Sequence, residues 1–194
     1  MIPGTVCYSC YAFGGQYKVR NVKVAQQRRL EALAHPRWVD AIIFLLQRYH
    51  AEPLVKVPLG KRGVTRWRWN ETGFHRWHDS GDLQSAEHLG QLCAVARATP
   101  RIKYWLPTQE LGMVQYYAKA HAVPDNLLIR VSSVNMGEHV PRSWPWTSSV
   151  GDELSFAKLP SGAYHCPAPQ QGHRCGSCRA CWDPRVSHVV YSAH

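Results

Sequence analysis

A chain of 194 residues is long enough to bury one sizeable core, and its length sets the expectation of a single domain. Apolar residues make up 45% and charged residues 19%, a globular composition that excludes a disordered chain. Lys and Arg number 23 against 13 Asp and Glu, and the formal charge of +10 favours an acidic partner such as single-stranded nucleic acid without specifying a fold.

Residues 1–17 read as loop: Pro3-Gly4, then the pair Cys7-x2-Cys10, then Gly14-Gly15. A helix is expected from about Val19 to Ala34, with Val19, Val22, Gln26, Leu30 and Leu33 along one stripe. A second begins at Pro36, a good first-turn residue, and carries Trp38, Ile42, Leu45, Leu46 and Tyr49 at helical spacing. Its apolar run, Ala41 to Leu46, is far too short to span a bilayer, so no membrane partner is expected. Pro53, Pro58 and Gly60 mark residues 53–63 as a connection. Val64 to Trp69 alternates like a strand, and Phe74 to His78 is a second extended run, which either pairs with the first as a hairpin or joins a parallel sheet. From there helices alternate with strands: helix from Asp82 to Ala98, strand from Arg101 to Leu106, helix from Thr108 to Ala120, strand from Leu127 to Ser132. That order predicts βαβ units with right-handed crossovers. Residues 135–165 read mostly as loop, with a short strand at Leu154 to Lys158, and Val186 to Tyr191 is a final strand.

The cysteines carry the strongest chemical signal. There are seven, and six lie near the ends of the chain: Cys7, Cys10, Cys166, Cys175, Cys178 and Cys181. Met1-Ile2-Pro3-Gly4 does not read as a signal peptide, so the expected compartment is a reducing cytoplasm. Close-spaced thiols there read as metal or cluster ligands. Cys175-Gly-Ser-Cys178-Arg-Ala-Cys181 is C-x2-C-x2-C, a spacing that lets three thiolates reach three irons of a 4Fe-4S cluster. The fourth ligand is either Cys166, giving the local set C-x8-C-x2-C-x2-C, or Cys7 or Cys10, which would join the two chain ends at one site. Zinc stays open as the alternative, because Cys7-x2-Cys10 can act as a second knuckle. Arg174 and Arg179 suit a negatively charged cluster, and Gly176 lets the backbone turn closely. Cys93 sits on an apolar helical face and reads as a small core residue.

Three expected strand ends carry polar groups to one rim: His78-Asp79-Ser80-Gly81-Asp82, Thr108-Gln109-Glu110, and Ser132-Ser133 with Asn135. Ligands bind at such ends in parallel α/β folds. Ser80 or Asp82, and Thr108, also suit helix capping. His78 and Asp79 are not needed as caps and are the candidates for a binding or acid–base pair. Between Lys56 and His78, six Lys or Arg residues interleave with Trp67, Trp69, Phe74 and Trp77. Arg66 and Arg68 on phosphates with Trp67 and Trp69 on bases would bind single strands; the competing reading is a solvated cationic hairpin with Trp in the core.

Several runs together identify a family resemblance. They are Cys7-Tyr-Ser-Cys10-Tyr-Ala12, Arg76-Trp-His-Asp-Ser-Gly-Asp-Leu83, Thr99-Pro100, Tyr104-Trp-Leu-Pro-Thr108 and Cys166-Pro with Cys175-Gly-Ser-Cys178-Arg-Ala-Cys181-Trp182. The chain resembles a phage family named after gene product eighty-eight, over all but about residues 35–70. The resemblance implies a viral protein acting in the host bacterial cytoplasm and implies no activity. The N-terminal cysteine run is also similar to radical-SAM enzymes. Cys7 and Cys10 match the last two cysteines of their C-x3-C-x2-C loop, but Pro3 stands where the first would fall, which argues against cleavage of S-adenosylmethionine.

The expected fold is therefore a single α/β domain with a small parallel or mixed sheet and flanking helices, extending to a partial radical-SAM-like barrel, with the chain ends joined at a metal site. The first expected function is a cluster-bearing redox or radical-type enzyme with a pocket at the strand ends. The alternative is a metal-stabilised nucleic-acid-binding or regulatory module, and a third reading is a phage protein that binds a host protein.

Overall fold

Alternating apolar strands and amphipathic helices after residue 73 fold as successive β–α units. In the computed structural model, residues 2–8, 10–51, 55–59, 64–68, 73–138, 143–151 and 162–193 are described. The helices are α1 (Arg20–Ala32), α2 (Trp38–Ala51), α3 (Ala86–Ala98) and α4 (Leu111–Ala120). The first two strands, β1 (Val55–Leu59) and β2 (Val64–Arg68), form an antiparallel ribbon with Val55 opposite Arg68 and Leu59 opposite Val64. This corrects the expected connection at 53–63, because Pro58 is accommodated inside a strand.

The other six strands are β3 (Phe74–Arg76), β4 (Lys103–Thr108), β5 (Leu127–Ser132), β6 (Thr147–Gly151), β7 (Tyr164–His165) and β8 (His188–Ser192). They form one sheet in the order β3-β4-β5-β6-β8-β7, with every neighbouring pair parallel. The sheet curls into a half-barrel, as the α/β expectation requires. The run from Phe74 thus joins the parallel sheet rather than pairing with β2. Residues 154–158, expected as a strand, lie outside the described residues.

Local chemistry sets the boundaries. Helix α3 starts at Ala86, later than expected, because Ser85 is its N-cap and the Ser85 hydroxyl accepts from His88 N–H at 3.1 Å. Asp82 is engaged elsewhere: its carboxylate accepts from the Thr108 hydroxyl at 2.5 Å and from Gln109 N–H at 2.7 Å. Thr108 does serve the next helix, accepting from Glu110 N–H at 3.1 Å. Pro107 lies within an inner strand, where a missing N–H normally breaks a ladder. Lys103 N–H points to Gly73 O, so by alternation the position of the Pro107 nitrogen faces the β3 side, and β3 has already ended at Arg76.

The outer face of the sheet packs on helices. Leu89, Leu92, Cys93, Val95 and Ala96 of α3 meet Tyr104, Leu106, Leu127 and Ile129. Each fully buried aliphatic side chain contributes about 1.5–3 kcal/mol. Cys93 is fully buried there, as its apolar face predicted. On the concave face Trp105, Cys181 and Val189 are buried together, with Cys166, Trp182, Val186 and Tyr191 packed against them.

Candidate functional site

The C-terminal cysteines lie on the concave face because the segment after β7 folds back across it. Cys166 N–H donates to Val190 O at 2.8 Å, continuing the pairing of β7 with β8. Cys178 N–H then closes a turn onto Cys175 O at 2.9 Å, with Gly176 at φ +54°, a left-handed conformation that favours glycine. Arg179 straps this turn, donating to Gly176 O at 2.9 Å and Cys178 O at 2.6 Å. Its guanidinium also lies 5.0 Å from the centre of the Phe74 ring.

Each of the last two thiols meets a tyrosine. Tyr164 OH is 3.3 Å from Cys178 Sγ, and Tyr191 OH is 3.1 Å from Cys181 Sγ. Burial pushes the Cys181 thiol up to about 11, and Cys166 and Cys175 are close enough to add to the shift. The Tyr164 hydroxyl is raised chiefly by its hydrogen bond to Cys178, with Cys166 and Cys181 also acting on it. The four thiols thus share one electrostatic neighbourhood. Among the described residues, no three or more His, Cys, Asp or Glu side chains stand together as a metal-binding group.

Arg130 is the residue that sequence reasoning missed. It lies in β5, is 0% exposed and reaches under the cysteine segment. Its Nη1 donates to Thr147 O at 3.0 Å and Ser187 O at 3.4 Å, and its Nη2 to Ala180 O at 3.2 Å and Val186 O at 3.1 Å. Its Nε is buried without an acceptor. The available signal was a lone cation inside the apolar run Leu127 to Val131.

The N-terminal pair has different surroundings. Thr5 bridges Asn135, Val6 N–H donates to Val134 O at 2.8 Å, and Met136 N–H donates to Gly4 O at 2.9 Å. These bonds lay the first residues across the carboxyl end of the sheet. There Cys7 Sγ is 3.6 Å from Gln109 Oε1, and Cys10 N–H donates to Cys7 O at 3.3 Å. A common site for Cys7, Cys10 and the C-terminal thiols is not among the described contacts.

The strand ends do gather at one rim, under this N-terminal segment. Tyr17 OH donates to the Asp79 carboxylate and Tyr11 OH to the Asp79 carbonyl. His78 is one of the non-glycine residues with positive φ, at +59°. Strain of this kind collects at functional sites. Its Nδ1 is buried without a partner, and its ring lies 5.7 Å from that of His88. Burial lowers the His78 pKa, Arg76 adds to this, and Asp82 opposes it. His78 and Asp79 therefore share the rim, but their described partners differ: His88 for one, two tyrosines for the other. Ser133 Oγ, at the end of β5, is also buried without a partner.

The basic, aromatic stretch divides. Trp77 is buried in the outer core at 8% exposure, in line with the competing core reading. Arg76 lies over the Trp105 ring at 4.9 Å, on the concave face. The backbone of 64–68 is strand β2, while the side chains of Arg66, Trp67 and Arg68, and Trp69 entirely, lie outside the described residues.

Among the described residues no helix is long and apolar enough to cross a membrane. Neither the curated proteins nor the solved structures give a match to this chain. The similarity to radical-SAM enzymes gains no support, whereas the phage resemblance does. The model of the gene product 88 family matches residues 3–184, nearly the whole chain, and the protein belongs to that family.

Proposed function

We propose that the protein binds a 4Fe-4S cluster through Cys166, Cys175, Cys178 and Cys181 and serves as a redox or radical-type protein in the host bacterial cytoplasm. The observation that carries this reading is the shared neighbourhood of four thiols on the concave face, one of them beside a buried, incompletely partnered guanidinium. Three of those thiols follow the ferredoxin-like spacing, and Cys166 completes the set within a single segment. A bound cluster supplies one-electron redox capacity.

The chain's own residues have defined tasks in this scheme. Cys181, whose thiol is raised to about 11 by burial, stays protonated at neutral pH until a metal displaces the proton. Tyr164 and Tyr191 donate O–H groups toward ligand sulfurs. Trp182 fixes the segment to the sheet, its indole N–H donating to His75 O at 3.0 Å. The rim with His78, Asp79, Gln109 and Ser133 is the side on which a substrate would meet the sheet. The second reading, a zinc-stabilised module that binds nucleic acid or a host protein, rests on the +10 charge and the Arg66 to Trp69 stretch.

Anaerobic purification after iron-supplemented expression, followed by metal and sulfide assay, tests the proposal. Brown protein with roughly equal iron and acid-labile sulfide is expected. Colourless protein with stoichiometric zinc overturns it.

A further inference from the structure

We infer that Arg130 and Tyr191 form a polar floor beneath the cysteine segment and set the reduction potential of the cluster held there; this rests on the iron–sulfur reading above. Arg130 is a complete cation inside a strand, with no exposed surface. Neutral carbonyls satisfy four of its N–H directions, and three of them, from Ala180, Val186 and Ser187, belong to the cysteine-bearing segment and its continuation. Carbonyls satisfy hydrogen bonds but do not neutralise charge. An unpaired buried cation is costly. Among the described residues Arg130 makes no salt bridge to a carboxylate, and its Nε–H has no acceptor. Cys181, Tyr191 and Asp183 are its anionic or potentially anionic neighbours within electrostatic reach.

A cluster with four thiolate ligands supplies what is missing, because it brings net negative charge and sulfur acceptors to this floor. Reduction adds one more negative charge. A fixed cation nearby therefore stabilises the reduced form more than the oxidised form and raises the potential. Tyr191 acts in the same direction. Its ring packs on Trp105 with centroids 6.3 Å apart and planes at 23°, and its hydroxyl stands 3.1 Å from Cys181 Sγ. A hydrogen bond donated to a ligand sulfur strengthens as that sulfur gains electron density. Neither residue supplies a ligand atom, so both are positioning and tuning residues.

The test uses the full-length chain, reconstituted anaerobically with ferrous iron and sulfide and titrated with dithionite under optical and paramagnetic-resonance detection. Wild type is compared with Arg130→Gln, Arg130→Lys and Tyr191→Phe. The expected result is a more negative midpoint potential in Arg130→Gln and in Tyr191→Phe at unchanged iron per chain. Arg130→Lys, which keeps the charge and loses the fork, should return toward wild type. A merely structural Arg130 would lower thermal stability and leave the potential where it was. If Arg130→Gln does not fold, Tyr191→Phe decides, since it keeps the ring and removes only the hydroxyl. A loaded cluster whose potential is the same in every folded variant overturns the inference and leaves the iron–sulfur reading standing. Wild-type protein that takes up no iron and sulfide overturns both.

Discussion

The two faces of the sheet are built by different rules. On the outer face, helices α2, α3 and α4 bring apolar side chains onto Tyr104, Leu106, Leu127 and Ile129, and shape complementarity does the stabilising. On the concave face, a segment with only short 3-10 turns is held by Arg130, Trp182 and cysteine–tyrosine contacts. The first face stands without a ligand. The second places a cation, two hydroxyls and four thiols where a folding chain would otherwise place aliphatic carbon. A protein retains so much polarity in its interior when that interior has chemistry to do.

The largest expected effect separates the faces outright. Cys178→Ser should strip iron from the anaerobically purified protein and lower its melting temperature, because a ligand bound only to the native state adds to stability. Cys93→Ser, on the outer face, should keep full iron content. Loss of iron from Cys93→Ser instead would show that the two faces are not independent. Next in size, Leu92→Ala should cost about 2–5 kcal/mol by opening a cavity in a site that is 0% exposed. Denaturant unfolding measures that cost, and iron per folded chain should be unaffected.

The pH dependence of stability gives a smaller, signed effect on the outer face. Burial lowers both His75 and His88 to about 4, with His50 acting on the first and His78 on the second. In the unfolded chain each titrates near 6.5. Between those values the unfolded state binds more protons, so stability is complete above about pH 6.5 and falls as the pH drops toward 4. Each histidine should account for on the order of 1–3 kcal/mol. Thermal melts across that range should flatten in His88→Gln; an unchanged slope would remove His88 from the account.

The smallest expected effect concerns the charge. Single-stranded nucleic acid should bind weakly, with affinity falling as salt rises, because cations release counterions. Replacing Arg66 and Arg68 by Ala should flatten the salt slope. If β2 is a stacking platform, Trp67→Ala or Trp69→Ala weakens binding by about 1–3 kcal/mol. Unchanged binding by those folded variants, measured by fluorescence anisotropy, would leave only nonspecific charge.

What could be read from the sequence follows from what was local. Strand β5 was expected at Leu127 to Ser132 and lies there, because a run of apolar and β-branched residues leaves little choice. Strand β6 was missed because Thr147, Ser148 and Ser149 look like loop. In the fold they are buried, with Ser132 Oγ and Ser148 Oγ 2.9 Å apart and Thr147 Oγ1 2.7 Å from His188 Nδ1. Hydroxyls that satisfy each other across strands leave no apolar signature. Arg130 was missed for a related reason: a cation in a net-basic chain is counted with the surface. The cysteine spacing was legible, being set within seven residues. The bonds from Gly4 and Val6 to residues 134–136 were not, because they join backbone groups far apart in sequence and carry no side-chain pattern.

The half-barrel never closes, so its sheet keeps two free flanks. Long exposed flanks invite strands from other molecules and lead to aggregation. Here the flanking strands are β3, with three residues, and β7, with two. An incoming strand finds only a few backbone groups to pair with on either side. The fold can thus leave one side of its barrel open to a folded-back segment rich in thiols without offering a template for self-assembly.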